Sequence, residues 1–399
     1  MKIIPVTLRD ILSLGLGGED WQSFVDHYEE KYNTMSVDGF TFAPISINYT
    51  FAQLIASTGA TPLPTYVDPE SEGYEMALRS LSGETGNIPT QKLFYSVNRV
   101  IVREQMQLAQ KFGKLALNDE MRDVIFGLLD EGTDKLIQSF WNALNHQRHR
   151  VVSTLQFQIT SGNNPRGIND ITIDFHAKDY QKDTLTTTAR WWTAAEHTVA
   201  NQGTKSDPIQ YMKDRVKFIR RDSRVHYQGP LKIEMTKDLL DDLLTHTVVL
   251  QRIGYQTVPT AQTDAIALQV GQNLSDEAKV ETMRKLIGVD AIVPQDTYAY
   301  VVKPGKDEDG NPDLVEERIN NFEATNIAFL PTGNIGNIQG VQPLSMGYDN
   351  NDVAYSMGNR LLIEQQAVPR THSINVNGEM AQLCVPSAIR QMFVSTVTA

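Results

Sequence analysis

The sequence predicts an α+β fold organised around one long helix. Three observations support this prediction: helical periodicity between Asn118 and Thr160, strand-like runs on both sides of that stretch, and the absence of a repeated βαβ unit. Asn118 is placed to cap the helix, and Gly132-Thr133 interrupts the pattern, with Thr133 placed to cap a second segment. The apolar residues recur at i, i+3, i+4 and i+7, and they are Val124, Ile125, Leu128, Leu129, Leu136, Ile137, Phe140, Trp141, Leu144, Val151, Val152 and Leu155.

Length and composition indicate a folded chain of two or three modules. Of 399 residues, 41% are hydrophobic, which is enough for a sizeable core. No run approaches the roughly 20 apolar residues that cross a bilayer, so no membrane partner is expected. Arg9 and Asp10 interrupt the first short apolar run, so no signal peptide is predicted. The single cysteine, Cys384, is expected to be a small buried residue in a reducing compartment.

The net charge of -12 argues against a surface that binds nucleic acid over its whole extent. One segment is locally basic, and we interpret it as a solvated or subunit-facing helix face, with weak phosphate contact as the alternative. Its cations outnumber Asp207, Asp214 and Asp222, and they are Lys205, Lys213, Arg215, Lys217, Arg220, Arg221 and Arg224.

The first 110 residues predict extended structure that needs a partner surface. A short helix over Trp21–Tyr32 precedes loosely alternating apolar residues from Phe40 to Phe51. Residues 60–107 then suit a two-stranded ribbon, with strands at Tyr74–Leu81 and Leu93–Val102 around a glycine-rich tip. An isolated ribbon is marginally stable, so we expect it to lie on another copy of the chain. The candidate subunit-interface residues on it are Glu72, Arg79, Glu84, Lys92 and Arg99.

The remaining chain predicts mixed elements in irregular order. The predicted strands are Asp170–Phe175, Leu231–Met235, Asp296–Val302, Asn326–Leu330, Arg360–Glu364 and Met380–Val385, with further strands and turns over residues 247–274 and a polar loop at Lys303–Asp313. The predicted helices begin at the caps Asp207, Thr236 and Ser275, and the last ends at Gly288.

No residue pattern demands catalysis, and we assign no catalytic, cofactor-binding or metal-binding residue. His146 and His149 have a spacing that suits zinc, but Arg148 and Arg150 repel a cation, so exposed polar residues are the preferred interpretation. Asp307–Asp313 resembles half a calcium loop, although Asp309-Gly310 is better explained as a hairpin turn. The pair Trp191-Trp192 is expected in a core or a subunit contact.

The order of arm, charged ribbon, long helix and mixed domain resembles the major capsid proteins of tailed bacteriophages, which have the Hong Kong 97-like fold. Within that group the sequence is similar to the lambda-type head protein E family. The matching features are the long helix, the strand Ile173–Phe175 with a tryptophan after it, and the helix starts at Asp207-Pro208 and Met235-Thr236. They also include the strand Tyr298–Val301 and the segment Phe329–Gly336.

The resemblance implies an N-terminal arm (1–58), an extended β-hairpin loop (59–110), a peripheral domain with a long spine helix (111–204), an axial domain (205–345) and a returning C-terminal segment (346–399). It further implies a non-enzymatic protein of the virion, assembled in the host cytoplasm as hexamers and pentamers of an icosahedral head. Expected partners are separate scaffolding and portal proteins, a possible decoration protein, and double-stranded DNA that is held weakly.

Two alternatives remain at the level of sequence. An encapsulin-like nanocompartment shell would keep the fold and enclose a protein cargo. A ligand-binding protein or enzyme of α+β fold would be a monomer or small oligomer with a concave polar pocket.

Overall fold

The computed structural model of the chain describes residues 18–32, 37–56, 81–98, 119–165, 170–192, 206–259, 263–306, 312–345, 353–368 and 373–398. Helices and strands alternate irregularly, which confirms the α+β class. The helices are α1 (Gly18–Tyr32), α2 (Asp119–Thr154), α3 (Pro208–Arg221), α4 (Lys237–Thr245), α5 (Thr247–Thr257), α6 (Asp264–Gln272) and α7 (Asp276–Ile287). Among these ranges no helix combines the length and apolar character needed to cross a membrane.

The strands form two large sheets and three two-stranded sheets. In chain order they are β1 (Phe40–Phe42), β2 (Thr50–Ala56), β3 (Leu81–Asn87), β4 (Thr90–Asn98), β5 (Gln156–Ile159), β6 (Ile171–Asp174), β7 (Lys182–Thr184), β8 (Leu231–Thr236), β9 (Ala291–Gln295), β10 (Tyr298–Lys306), β11 (Pro312–Asn320), β12 (Asn326–Pro331), β13 (Gly336–Val341), β14 (Val353–Ser356), β15 (Leu361–Val368), β16 (Ser373–Pro386) and β17 (Phe393–Thr396).

The long helix α2 is continuous over 36 residues, about 54 Å at roughly 1.5 Å per residue. The predicted interruption at Gly132-Thr133 is therefore wrong, and the predicted cap Asn118 lies outside the described residues. Thr133 shares a hydrogen bond of 2.8 Å with the hydroxyl of Tyr95, which also donates to the Leu129 carbonyl. A Cβ at position 132 would lie 2.4 Å from the Tyr95 ring. Gly132 thus serves close packing rather than the end of a helix.

The first large sheet has β16 as its central strand. Residues 373–380 of β16 pair with β15 on one side and with β4 on the other, and residues 381–386 pair with β13. Helix α2 packs on this sheet at Gly378, where a Cβ would lie 2.6 Å from the ring of Phe140. The core between helix and sheet includes Leu136, Leu144 and Val376, each at most 2% exposed. This helix-on-sheet layer is the first core.

The N-terminal residues pack against the same chain, contrary to the expectation for 1–58. In α1, Trp21 and Val25 are fully buried. The Gln22 amide accepts from the backbone N–H of Tyr355 in the edge strand β14 and donates to its carbonyl, at 2.9 and 2.8 Å. Strand β1 pairs in parallel with β13, and the guanidinium of Arg360 lies 4.8 Å from the Phe42 ring centroid. Residues 18–32 and 37–51 therefore bury part of their apolar side chains within the same chain, whereas Phe42, Ile47 and Tyr49 stay 42%, 88% and 46% exposed.

The predicted ribbon has different strand partners in the structure. Strand β2 pairs with β3 over seven residues, so the hairpin begins at Thr50 rather than at residue 59. Strand β4, predicted as the second ribbon strand, pairs with β16 instead. The period-two pattern of 93–98 correctly predicts a strand but contains no information on its partner. The predicted strand Tyr74–Leu81 lies outside the described residues except for Leu81, which begins β3.

The second large sheet has the order β7-β17-β12-β8-β9 and forms a second core with α3, α4, α5 and α7. Trp191 and Trp192 are buried in this core, which agrees with the core alternative for that pair. The predicted caps Asp207, Thr236 and Ser275 all accept a hydrogen bond from the third following residue. The left-handed Gly288, at φ 83°, ends α7 as predicted. The C-terminal segment divides between the sheets, since β14–β16 join the first and β17 joins the second.

The strands predicted over residues 247–274 are wrong, because this segment forms the helices α5 and α6. A Cβ at Gly254 would lie 1.9 Å from the carbonyl oxygen of Ala267. A Cβ at Gly271 would lie 2.2 Å from that of Leu250. The two glycines let the helix backbones touch, and β-branched residues such as Val248 and Val249 imitate a strand pattern.

The predicted strand Asp296–Val302 is confirmed by β10, whereas the predicted loop Lys303–Asp313 is wrong at both ends, because β10 continues to Lys306 and β11 begins at Pro312. Strands β10 and β11 pair over nine residues each, from Tyr298 opposite Asn320 to Lys306 opposite Pro312. The sequence prediction missed β11 because charged residues occupy four of its nine positions. The predicted turn Asp309-Gly310 lies outside the described residues, between the two strands.

We expect the substitution Gly254→Ala to lower the free energy of unfolding by about 1–3 kcal/mol, because a new methyl group would press on the Ala267 backbone. Gly127→Ala in α2 is the matched control, since a Cβ there meets nothing within 4 Å. The control should raise stability by about 0.5–1 kcal/mol. Urea unfolding monitored by circular dichroism measures both values. Equal effects of the two substitutions would contradict the close approach of α5 and α6.

Candidate assembly surface

A buried ion pair joins the two cores. The guanidinium of Arg148 in α2 donates to both carboxylate oxygens of Glu234 in β8, at 2.6 Å each. Arg148 and Glu234 are 1% and 0% exposed. The Asp38 carboxylate accepts from Arg148 at 2.8 Å, and the ammonium of Lys232 lies 2.8 Å from Asp38 and 2.9 Å from Glu234. Two cations and two carboxylates therefore meet where the long helix crosses the second sheet.

The charges in this cluster support one another. Burial alone would raise the pKa of Glu234, but Arg148 and Lys232 outweigh burial and hold that pKa below its usual value. Burial likewise opposes the charge of Arg148, while Glu234 and Asp38 raise the pKa of the guanidinium. Both groups stay ionised although neither has access to water. Their charges have a structural explanation, so they need no catalytic one.

Two histidines next to Arg148 attach the β10–β11 hairpin to the helix. His149 contacts Gln295 through Nε2 at 2.9 Å, and His146 contacts Asn321 through Nδ1 at 2.9 Å. Arg150 donates to Glu323 at 2.5 Å. The expectation that His146 and His149 lie on an exposed face is wrong, since they are 8% and 7% exposed. Over the described ranges, no three histidine, cysteine or acidic side chains converge to hold a metal ion.

A polar cavity of about 390 Å³ lies between α2 and the base of the hairpin. Its ionisable lining groups include Arg148 and His149, which already bond to Glu234 and Gln295. The Thr297 hydroxyl also lines the cavity and lies 3.4 Å from Nε2 of His149, which is already bonded to Gln295. The lining residues are Asp38, Asn142, Asn145, Arg148, His149, Gln295, Asp296, Thr297, Tyr298 and Asn321.

Of the five predicted interface residues, only Lys92 has a described side chain. It lies in β4 and is 70% exposed, and its ammonium is 2.8 Å from the carboxylate of Glu379 in the same chain. Glu84 lies in β3. Glu72, Arg79 and Arg99 lie outside the described residues. Their role in subunit contact therefore stays a prediction.

The larger uncovered surface surrounds β4, which the sequence prediction did not place at a sheet edge. Its second edge has no strand partner within the part of the chain that the structure describes. Leu93 and Phe94 on this strand are 43% and 66% exposed. Ile47 and Tyr49, which precede β2, are 88% and 46% exposed. An unpaired strand edge with exposed apolar side chains is typical of a site that another chain covers.

A second uncovered surface is the β10–β11 hairpin. Tyr298, Tyr300 and Val302 alternate along β10, and so they share one face of the ribbon, where they are 44%, 60% and 37% exposed. The guanidinium of Arg318 lies 4.1 Å from the centroid of the Tyr298 ring. No third strand pairs with β10 or β11 among the described residues. Alternating tyrosines within 298–302 were visible in the sequence and could have indicated this face.

We expect Glu234→Gln to lower the free energy of unfolding by about 3–5 kcal/mol, because it leaves the Arg148 charge buried without its partner. The double variant Arg148→Met, Glu234→Leu removes both charges and should recover much of that loss. Chemical denaturation of the unassembled subunit measures both. A single variant as stable as the wild type would contradict the buried pair.

The buried histidines predict a stability that falls as pH falls from 6.5 to 4. Burial lowers the pKa values of His146 and His246 to about 4 in the folded chain, against 6.5 in the unfolded chain. The unfolded chain therefore binds more protons in this window, and each histidine contributes a slope of up to about 1.4 kcal/mol per pH unit. Urea unfolding at pH 5 and pH 7 measures the slope. We expect a smaller slope in the variant His146→Gln, His246→Gln, and an unchanged slope would contradict the burial.

No family model matches the sequence, and no curated protein is similar to it. Among solved structures, the chain is similar to a proposed prophage capsid protein of E. coli CFT073 (12% identity, 96% of this chain and 99% of that chain, TM-score 0.47). It is also similar to a phage-related protein of Bordetella bronchiseptica RB50 (12% identity, 94% of this chain and 96% of that chain, TM-score 0.44). A third similar structure is a virus-like particle of Pyrococcus furiosus (10% identity, 94% of this chain and 98% of that chain, TM-score 0.36).

Proposed function

We propose that this chain is the major capsid protein of a tailed bacteriophage with the Hong Kong 97-like fold. Many copies would assemble as hexamers and pentamers into an icosahedral head that encloses double-stranded DNA. The observation that supports this proposal most directly is the surface around β4. There a nine-residue strand has one free edge among the described residues, beside the exposed Ile47, Tyr49, Leu93 and Phe94.

A shell subunit needs such surfaces on more than one side. The β10–β11 hairpin presents a second apolar face, 37–60% exposed at Tyr298, Tyr300 and Val302. Monomeric soluble proteins rarely leave several large apolar patches open to water. Two uncovered surfaces on one chain favour assembly with neighbours on different sides.

The division into two cores suits the proposed domains. Under this proposal, the first core, with α2 and the sheet of β16, would belong to the peripheral domain. The second core, with α3, α4, α5 and α7, would belong to the axial domain near residues 205–345. The hairpin of β2 and β3 corresponds to the base of the extended loop. Residues 18–51 form an arm that lies on its own subunit, and most of 346–399 returns to the first core.

The remaining features suit a structural role in the virion. Arg148 and His149, two ionisable groups of the cavity, are engaged with Glu234 and Gln295, which favours a structural role for them over the ligand-binding alternative. The net charge of -12 suits weak contact with packaged DNA. Separate scaffolding, portal and decoration proteins would complete the head, which would assemble in the host cytoplasm.

Negative-stain microscopy and light scattering of the expressed full chain test this proposal. We expect rings of five and six copies or closed shells, because the exposed apolar surfaces of one copy need a partner. A monodisperse monomer at all concentrations and salt conditions would contradict the capsid function. Particles that retain a protein cargo and no DNA when produced in cells would identify a nanocompartment shell instead.

We expect Lys92→Glu to impair assembly while changing subunit stability by no more than about 1 kcal/mol, since an exposed ion pair contributes little to folding. The charge-conserving Lys92→Arg is the matched control and should assemble normally. Light scattering measures assembly, and urea unfolding measures stability. Normal assembly of Lys92→Glu would remove Lys92 from the interface.

A further inference from the structure

Helix α3 places positive charge at one end of the second sheet. The hydroxyl of Tyr211 donates to Asp183 in the edge strand β7 at 2.6 Å and accepts from the Ser395 hydroxyl in β17 at 2.7 Å. Arg215 forms an ion pair with the same Asp183 carboxylate. These contacts fix the first half of the helix against β7 and β17, and Arg220 in its last turn donates to the Gly288 carbonyl before β9 at 3.0 Å, so the helix crosses the sheet. They also direct the opposite face of the helix toward solvent.

That solvent face is predominantly basic. Lys217 is 57% exposed, and Arg221, four residues later, is also exposed. The nearest opposite charge to Lys217 is Asp214, at 3.4 Å and equally exposed, so this pair contributes little. Arg215 and Arg224 are paired with Asp183 and Asp222, so Lys217 and Arg221 carry the charge of this face, and Lys213 and Arg220 are half-buried.

Helix α4 places negative charge at the other end of the same sheet. It follows β8 and buries four leucines against the second core. Asp238 and Asp241 lie on its exposed face. Asp296, directly after the edge strand β9, is also exposed and borders one cleft together with Asp238. Lys237 and Arg318 border that cleft too, so the face is mixed at its rim and acidic at its centre.

The two charged faces cannot meet within one copy. The last turn of α3 lies beside Gly288, before β9 begins, whereas α4 starts after β8 ends and Asp296 follows the end of the parallel strand β9. The six residues of β8 separate these two ends by about 20 Å at roughly 3.3 Å per residue. A contact between the faces must therefore join two copies. Such a contact uses different patches on the two partners, so repeated rotation closes it into a ring. Opposite charges in that arrangement select the correct neighbour and speed its association.

We propose that neighbouring copies in a ring meet through these faces, with the basic face of α3 on one copy against the acidic face of α4 and Asp296 on the next. This inference rests on the proposed capsid function and specifies how its rings close. The occupant of each face is a second copy of this chain. Phosphate contact by α3, the alternative for this segment, would leave the acidic face unexplained.

Charge reversal tests the contact. The variant Lys217→Glu, Arg221→Glu should weaken ring formation at low salt by at least about tenfold, since like charges then face each other. The charge-conserving variant Lys217→Arg, Arg221→Lys should assemble as the wild type does. The variant Asp238→Lys, Asp241→Lys should also form fewer rings at low salt, as the first variant does. Native mass spectrometry measures the ring population, and circular dichroism confirms that each subunit is folded.

Mixing the two failing variants gives the sharpest result. One variant is acidic on both faces and the other is basic on both, so each is the complement of the other. The mixture should form rings in which the variants alternate, and an alternating ring needs an even number of members. We expect hexamers to return and pentamers to stay absent.

Several outcomes would overturn the inference, and they are separable from a failure of the capsid function. Normal rings from either charge-reversed variant, or no recovery of rings on mixing the two, would exclude this contact. Rings formed by the wild-type chain would still support a capsid. Rings that persist but lose bound double-stranded DNA would assign α3 to phosphate contact. A wild-type chain that never assembles would contradict the capsid function itself.

Discussion

The Arg148–Glu234 ion pair is the contact on which the relation between the two cores depends. It joins the long helix of the first core to the second strand from the edge of the second sheet. A buried ion pair adds little net stability compared with apolar packing, but it tolerates only one geometry. Asp38 extends the cluster to the segment before β1, so the arm, the helix and the second sheet share one set of charges. The polar cluster therefore fixes orientation, while the two hydrophobic cores supply most of the stability.

The same stretch of α2 also holds the β10–β11 hairpin through His146, His149 and Arg150. Before these residues the helix packs apolar side chains on the first sheet, and at these residues it makes polar contacts with the hairpin region. The β10–β11 hairpin therefore leaves from the same stretch of α2 that carries the Arg148–Glu234 pair, whereas β4 contacts this helix near Gly132 and Thr133.

Local features were predictable from sequence, and long-range ones were not. The caps Asp207, Thr236 and Ser275 and the glycine at 288 are determined by the nearest few residues, and the structure has each of them. Gly132, Gly254 and Gly271 were misjudged because their small size serves contacts with distant parts of the chain. The partner of β4 was missed because that partner, β16, is also distant in the sequence. His146 and His149 were expected in solvent because nothing near them in sequence reveals Asn321 or Gln295.

The amide of Gln22 has a consequence for how copies of this chain can join. By bonding both the N–H and the carbonyl of Tyr355, it occupies the backbone groups that an incoming strand would use on β14. The β14 edge of the first sheet is thereby blocked by the Gln22 side chain, and the β4 edge stays unpaired among the described residues. A sheet that can grow in one direction only cannot extend into an endless fibril, so the chain is biased toward assemblies of finite size.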